Sequence, residues 1–457
     1  MNSLPQDFID NMHTLLGDSE SEALCRALNE SSPCVSIRHN RGKGSVFFEQ
    51  EESVPWCSTG YYLAERPAFT FDPRLHAGGY YVQEASSMFI EQAYRCIATQ
   101  IQAQRVLDLC AAPGGKSTLW RSLLPDGALL VANEPIRTRA NILAENLAKW
   151  GHPDVVVTQG YAEHFASLSD FFDIVAADVP CSGEGMMRKD EGARSEWSRA
   201  NVLNCAQRQR DIIAAIWPTL HTGGYLVYST CTFNREENED NVHYICQELG
   251  AECVPIPIKE EWGIVGDCTG RDLPVYHFMP HRTRGEGIFL ALLRKTAPSS
   301  PPSKSKKQKE RGKQTPFPRD IEQWLTEPEF FSLLRTSPEQ IVAVRRSLLP
   351  DVQRIMAAVP CVSVGVALAE EKGRKLIPQQ ALALSTQLSP KAFVRVDVER
   401  STALSYLRRE AIVLPAETPR GYVLLTYEGL PLGFVNNLGT RANNLYPQEW
   451  RIRSQSE

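Results

Sequence analysis

The chain is expected to fold around a doubly wound α/β core, preceded by a small α+β unit and followed by a further α+β region. Three observations lead there. Between about residues 101 and 295, apolar runs of four to six residues alternate with longer helical patterns, the signature of βαβ units and a largely parallel sheet. After Lys295 the alternation stops, and Pro298-Ser299-Ser300-Pro301-Pro302-Ser303 runs into a lysine-rich stretch. The length, 457 residues, exceeds one ordinary domain.

Residues 1–100 mix helical and strand-like patterns, with Phe8-Ile9-Asp10-Asn11-Met12-His13-Thr14-Leu15-Leu16 followed by Cys34-Val35-Ser36-Ile37-Arg38. In the core, 101–295, strands are expected at 106–109, 129–132, 155–157, 174–177, 225–228 and 288–293. Helices between them complete the doubly wound sheet. Residues 296–317 read as a linker, because Lys304, Lys306, Lys307, Lys309, Arg311 and Lys313 leave too little apolar surface to fold. The plain reading of that charge is a solvated tether; the sharper one is a flexible arm that finds phosphates. Residues 318–400 are expected to form an intermediate unit and 401–457 a last one, with helical segments leading into strand-like ones from 411 to 435.

Composition excludes several classes. Hydrophobic residues at 42% and charged residues at 23% describe a soluble globular protein. No run of eighteen apolar residues appears, and Met1-Asn2-Ser3-Leu4-Pro5-Gln6-Asp7 lacks the basic and apolar parts of a signal peptide, so a cytoplasmic protein without a membrane partner is expected. Twelve cysteines without a C-x-x-C pair suit reduced thiols better than disulfides or a structural zinc. His277 and His281 have the spacing of a metal pair but no cysteine pair nearby, so no metal is expected. A net charge of −5 does not advertise nucleic-acid binding; such a surface must be a local basic patch.

The chemistry concentrates at strand ends. Cys110-Ala111-Ala112-Pro113-Gly114-Gly115-Lys116 makes a glycine-rich turn after the first core strand. With Ser117 it imitates a phosphate-binding P-loop, but Cys110 stands where that loop needs glycine, and Pro113 removes a backbone amide. An adenosine cofactor lying across the carboxyl ends of the first two strands fits better, and Glu134, nineteen residues past Gly115, is placed to take ribose hydroxyls. Asp178 and Cys181 follow the fourth strand and Cys231 the fifth, so all three should converge on the reactive end of that cofactor. A thiolate that adds to carbon 6 of a pyrimidine turns carbon 5 into a nucleophile, and an acid near ring nitrogen 3 favours the addition. Singly, each cysteine reads as a small buried hydrophobe, Asp178 as a helix cap and Lys116 as a first-turn residue. Their joint occurrence at successive strand ends is what those readings leave unexplained. Spacing does not choose between the two thiols.

These segments, with Glu236-Glu237-Asn238 and the preceding Tyr81-Val82-Gln83-Glu84-Ala85-Ser86-Ser87-Met88, resemble the signatures of the Nop/Sun family of RNA cytosine-5 methyltransferases. The stretches 429–434 and 443–453 resemble the PUA-like domain of its bacterial RsmF-like branch. The resemblance implies a Rossmann-like methyltransferase core. It also implies that residues 110–116 hold S-adenosylmethionine, that Glu134 binds the ribose, and that Arg139 and Gly160 belong to the cofactor site. Cys231 is implied as the nucleophile, Cys181 as the group that helps the product leave, and Asp178 as the contact to cytosine and to the cofactor's methyl end. One departure stands out: where the family places an acid after the third strand for adenine, the chain reads Thr158-Gln159-Gly160-Tyr161. That leaves the adenine contact open, with Gln159 as a substitute.

The implied partner is RNA, most simply small-subunit ribosomal RNA bound by a monomer, with transfer RNA or a catalytically idle assembly role as alternatives. An enzyme of this kind must take an unpaired cytosine or flip one out. Basic and aromatic residues outside the core should grip the strand. Arg408, Arg409, Arg420, Arg441, Arg451 and Arg453 with Tyr406, Tyr422, Tyr446 and Trp450 are the candidates, and Arg38, Arg41 and Lys43 weaker ones.

Overall fold

Runs such as Leu129–Asn133, buried at every position, can only form strands enclosed on both faces, and the fold is built around them. The computed structural model describes residues 3–44, 48, 51–298, 316–373 and 375–454, so the lysine-rich run at 304–313 lies outside the described residues. The central sheet comprises β1 (Arg105–Asp108), β2 (Leu129–Asn133), β3 (Val155–Thr158), β4 (Phe172–Asp178), β5 (Leu220–Thr230), β6 (Ala251–Cys253), β7 (Val275–Phe278), β8 (Ile288–Lys295) and β9 (Cys361–Val364). Its order is β6-β8-β5-β4-β1-β2-β3-β9, with β7 paired to β8. β3, β2, β1, β4 and β5 are parallel, and β8 returns antiparallel to β5. All six expected strands are present, and β6, β7 and β9 are additions.

Among the helices that flank the sheet are α1 (Gly115–Leu123), α2 (Arg137–Trp150), α3 (Arg199–Ile216) and α4 (Glu239–Glu248). α1 and α2 pack on one face and α3 and α4 on the other, each over its own apolar core. Local signals fix their ends. Ser198 caps α3 by accepting from the Asn201 amide, and Gly151, at φ 85°, closes α2 in a left-handed conformation that a side chain resists. Because the chain crosses from β3 back to β4 beside β1, a switch point opens between β1 and β4.

Before the core, helices Gln6–Leu16 and Asp18–Glu30 accompany a four-stranded antiparallel sheet. Arg38, weighed as an RNA contact, lies instead in its interior at 0% exposure. Its guanidinium donates to Gln83 Oε1 (2.8 Å) and Thr118 Oγ1 and lies 4.4 Å over the Trp150 ring. It therefore stitches this sheet to α1 and α2.

After residue 316 the expected helical segments appear as Leu349–Ala358, Gln380–Leu384 and Arg400–Leu407, but they are accompanied by strands Phe331–Arg335, Gln340–Arg345, Val366–Lys372 and Lys375–Pro378, which form a sheet of their own, while β9 pairs with β3. The last sheet carries strands Gly421–Tyr427 and Leu430–Asn437, in the expected place. Tyr406 and Tyr446 are fully buried and stack edge-on at 5.2 Å, so they are core residues and not RNA contacts; Arg420, Arg441, Arg451 and Arg453 are exposed. Among the described residues no helix is long and apolar enough to cross a membrane.

Asp154, with a fully buried side chain just before β3, binds Arg345 Nε through both carboxylate oxygens at 2.8 Å and accepts from the Gly127 amide. Removing one partner of such a pair strands the other charge. Asp154→Ala should lower stability by about 3–5 kcal/mol, read as a fall in the urea midpoint.

Candidate active site

The pairing of β4 with β5 builds the site. Asp178 sits opposite Ser229 in parallel register, so Cys181 and Cys231 leave the two strand ends side by side. Their sulfurs stand 3.0 Å apart, and the Cys231 amide donates to Cys181 Sγ at 3.4 Å. The hydrogen bond to Cys231, reinforced by burial, pushes the Cys181 thiol well above its ordinary value.

Asp178 is gripped from two sides. Ser229 Oγ donates to Oδ1 at 2.8 Å and Lys116 Nζ to Oδ2 at 2.7 Å. Burial disfavours the charge of Lys116, but the adjacent carboxylate more than offsets this and holds the ammonium above its usual range. Lys116 thus turns from the glycine loop toward the thiols. A cavity of about 170 Å³ opens here, lined by Lys116, Asp178, Cys231, Met186 and Lys189. A larger one of about 350 Å³, between α2 and β9, has no carboxylate or lysine in its wall and lies away from the sulfurs.

Behind the thiols, buried acids tie the two loops together. Glu237 accepts from the Ser182 amide (3.0 Å), Gln209 Nε2 (2.7 Å) and Asn234 Nδ2 (2.8 Å). Burial pushes its carboxyl up to about 7 against the pull of those donors. Glu184 accepts from the amides of Phe233 and Asn234 and from Trp197 Nε1. The Glu236-Glu237-Asn238 segment is conspicuous in the sequence, but no periodicity says that Glu237 would be a loop clamp. Ser229 and Asn133 carry no signal of their own in the sequence; both are strand residues whose function depends on their neighbours.

On the cofactor side, Ala111 N–H donates to Asn133 O, and Gly114 adopts φ 118°, open to glycine alone. A Cβ on Gly115 would stand 3.2 Å from Tyr81 Cε1, so the turn is already packed tight. Burial pushes the Cys110 thiol upward, which keeps it a neutral wall residue. Glu134, 2% exposed, accepts from the Ile136 amide, and Arg139 Nη2 spans Glu134 Oε2 (3.4 Å) and Ala112 O (3.3 Å). The glycine turn, Glu134 and Arg139 therefore meet in one crevice outside β1 and β2. Gly160 presents no side chain, and its carbonyl is taken by Asn133 Nδ2. His277 and His281 do not converge: His277 binds Glu239 and His281 binds Glu20.

Comparison with known proteins follows this geometry. The family model for 16S rRNA methyltransferase RsmB/F matches residues 97–294. Ribosomal RNA small subunit methyltransferase F from Enterobacter sp. (strain 638) is 30% identical over 455 residues, covering 93% of this chain and 89% of that protein. The chain belongs to the RsmF methyltransferases. The RsmF N-terminal domain matches residues 4–85 and the RsmF PUA domain residues 393–452. The methyltransferase F of Shewanella baltica (strain OS223) is 32% identical, covering 87% of this chain and 84% of that one. In fold, NSun6 from Pyrococcus horikoshii, solved with SFG, overlays with a TM-score of 0.54 at 20% identity, over 65% of this chain and 99% of that one. As an RsmF methyltransferase the chain takes its methyl group from S-adenosylmethionine, and the glycine turn with the acid at the end of β2 fits that cofactor.

The hydrogen bond between the sulfurs sets an order of reactivity. Limited iodoacetamide at pH 8 should alkylate Cys231 ahead of Cys181 by peptide mass spectrometry; the reverse order would contradict the upward displacement of the Cys181 thiol.

Proposed function

We propose that this enzyme methylates carbon 5 of cytosine in small-subunit ribosomal RNA, acting in the cytoplasm through a covalent bond to Cys231. The observation that carries this reading is the pair of thiols 3.0 Å apart beside an Asp178–Lys116 pair at the ends of adjacent strands. The 16S rRNA methyltransferases named among its relatives support the substrate class.

In this reading the glycine turn 110–116 cradles S-adenosylmethionine, Glu134 takes the ribose, and Arg139 gives up its loose contact to Glu134 as the ribose enters. The cofactor supplies an electrophilic methyl group. Cys231 adds to carbon 6 of the flipped base, while Asp178, oriented by Ser229 and Lys116, passes the proton that the thiol gives up to ring nitrogen 3 and so neutralises the ring charge that addition creates. Carbon 5 attacks the methyl group, with S-adenosylhomocysteine as the leaving group; a base then takes the carbon 5 proton, and the electrons of that bond restore the ring double bond and expel the Cys231 thiolate. Cys181 assists that last step: its S–H, aimed at the departing sulfur, stabilises the thiolate as it forms. Exposed Arg420, Arg441, Arg451 and Arg453 of the PUA domain contribute phosphate contacts.

Labelled methyl transfer from S-adenosylmethionine to separated small-subunit, large-subunit and transfer RNA tests the substrate. 5-Methylcytidine in the small-subunit fraction is expected; label confined to transfer RNA would discard the ribosomal assignment. The division of labour between the thiols has its own test. Cys181→Ala should accumulate a denaturant-resistant protein–RNA adduct and Cys231→Ala should form none, and equal adducts would overturn the assignment.

A further inference from the structure

The adenine end of the cofactor crevice departs from the family pattern, and the departure has a structural cause. A Cβ at Gly160 would stand 2.8 Å from Val359 Cγ1 and 3.0 Å from His164 Nδ1, so an acid does not fit at that position. The Gly160 carbonyl is already committed to Asn133 Nδ2 at 2.8 Å. The residue before it is held from two directions. Gln159 N–H donates to Pro360 O at 2.9 Å, and Gln159 Nε2 donates to Pro135 O at 3.3 Å. A carbonyl only accepts, so the amide nitrogen must face Pro135 and Oε1 must face away from it, as an acceptor. In the same two turns, Ile136 and Tyr161 leave 50% and 63% of their surfaces exposed, large apolar faces against which a flat ring can lie.

We propose that Gln159 Oε1 accepts a hydrogen bond from the amino group of adenine, taking the place of the family's carboxylate, and that Val359 and Pro360 are positioning residues that hold it there. The inference rests on the S-adenosylmethionine site proposed above. Pro360 fixes the Gln159 backbone, and Val359 fills the space over Gly160 that a side chain would otherwise occupy. Both lead directly into β9, so a strand from the C-terminal part of the chain is an element of the cofactor site.

Calorimetry of the full-length chain with S-adenosylhomocysteine and with S-inosylhomocysteine tests this. Hypoxanthine puts a keto oxygen where adenine carries its amino group, so an acceptor would face an acceptor. The unmodified enzyme should prefer the adenine form by about tenfold or more. Gln159→Ala should bind it roughly five- to tenfold more weakly and lose the preference. Val359→Ala should reduce it, with melting temperature recorded to show that each variant is folded. Unchanged affinity and preference in Gln159→Ala would overturn the assignment, and unchanged preference in Val359→Ala would overturn the positioning role. Failure of the unmodified enzyme to bind S-adenosylhomocysteine at all would instead sink the cofactor reading itself.

Discussion

The register of β4 against β5 is the constraint on which the site depends. Asp178 and Ser229 are opposite one another, which lets a serine hydroxyl orient the acid and delivers the two cysteines to one place. A slip of one residue would reverse the face of every side chain along β5, moving Tyr228 to the opposite core and Ser229 away from Asp178. That register is secured from one face and from one edge. Tyr228 donates to the Glu237 carbonyl beneath the strand, and β8 pairs along the other edge of β5 from Tyr225 to Thr230.

Around this register the molecule spends burial on carboxylates that have no basic partner. Glu237 and Glu184 are fully buried, and the hydrogen bonds they receive come from amides and an indole. Such an arrangement is costly unless every acceptor is used, and it rewards one geometry over all near alternatives. The result is a rigid bracket beneath two thiols whose separation decides whether one can serve the other. The site's charge is kept on the opposite side, where Asp178 and Lys116 share a partly exposed ion pair that an incoming base can reach.

Much of this was legible in the sequence because the core strands are short, apolar and separated by helices. The β1, β2, β4, β5 and β8 segments read directly from their runs of Val, Ile, Leu and Ala, and the strand ends then located Asp178, Cys181 and Cys231. Other features depended on long-range packing. Nothing in Cys361-Val362-Ser363-Val364 distinguishes a sheet edge from a loop; its partner is far away in the chain. Lys116 stands in the first turn of α1, and only the proximity of β4 turns it toward Asp178. Arg38, Tyr406 and Tyr446 misled for one reason: basic and aromatic residues that suit RNA equally suit a buried joint when a hydroxyl, an amide or a second ring waits for them.

The placement of β9 bears on how the chain reaches its native state. Its pairing with β3 joins positions about 200 residues apart, with Cys361 against Thr158, and the strands between them include the whole second half of the sheet. Such non-local closure is slow to form, and until it forms β3 is an open edge able to recruit foreign strands. During synthesis the ribosome must extend the chain about 200 residues beyond β3 before that edge can be covered. Chaperone demand and aggregation risk should therefore concentrate in the interval between emergence of β3 and arrival of β9, which makes the late segment a guard of the nascent enzyme as well as a wall of the finished one.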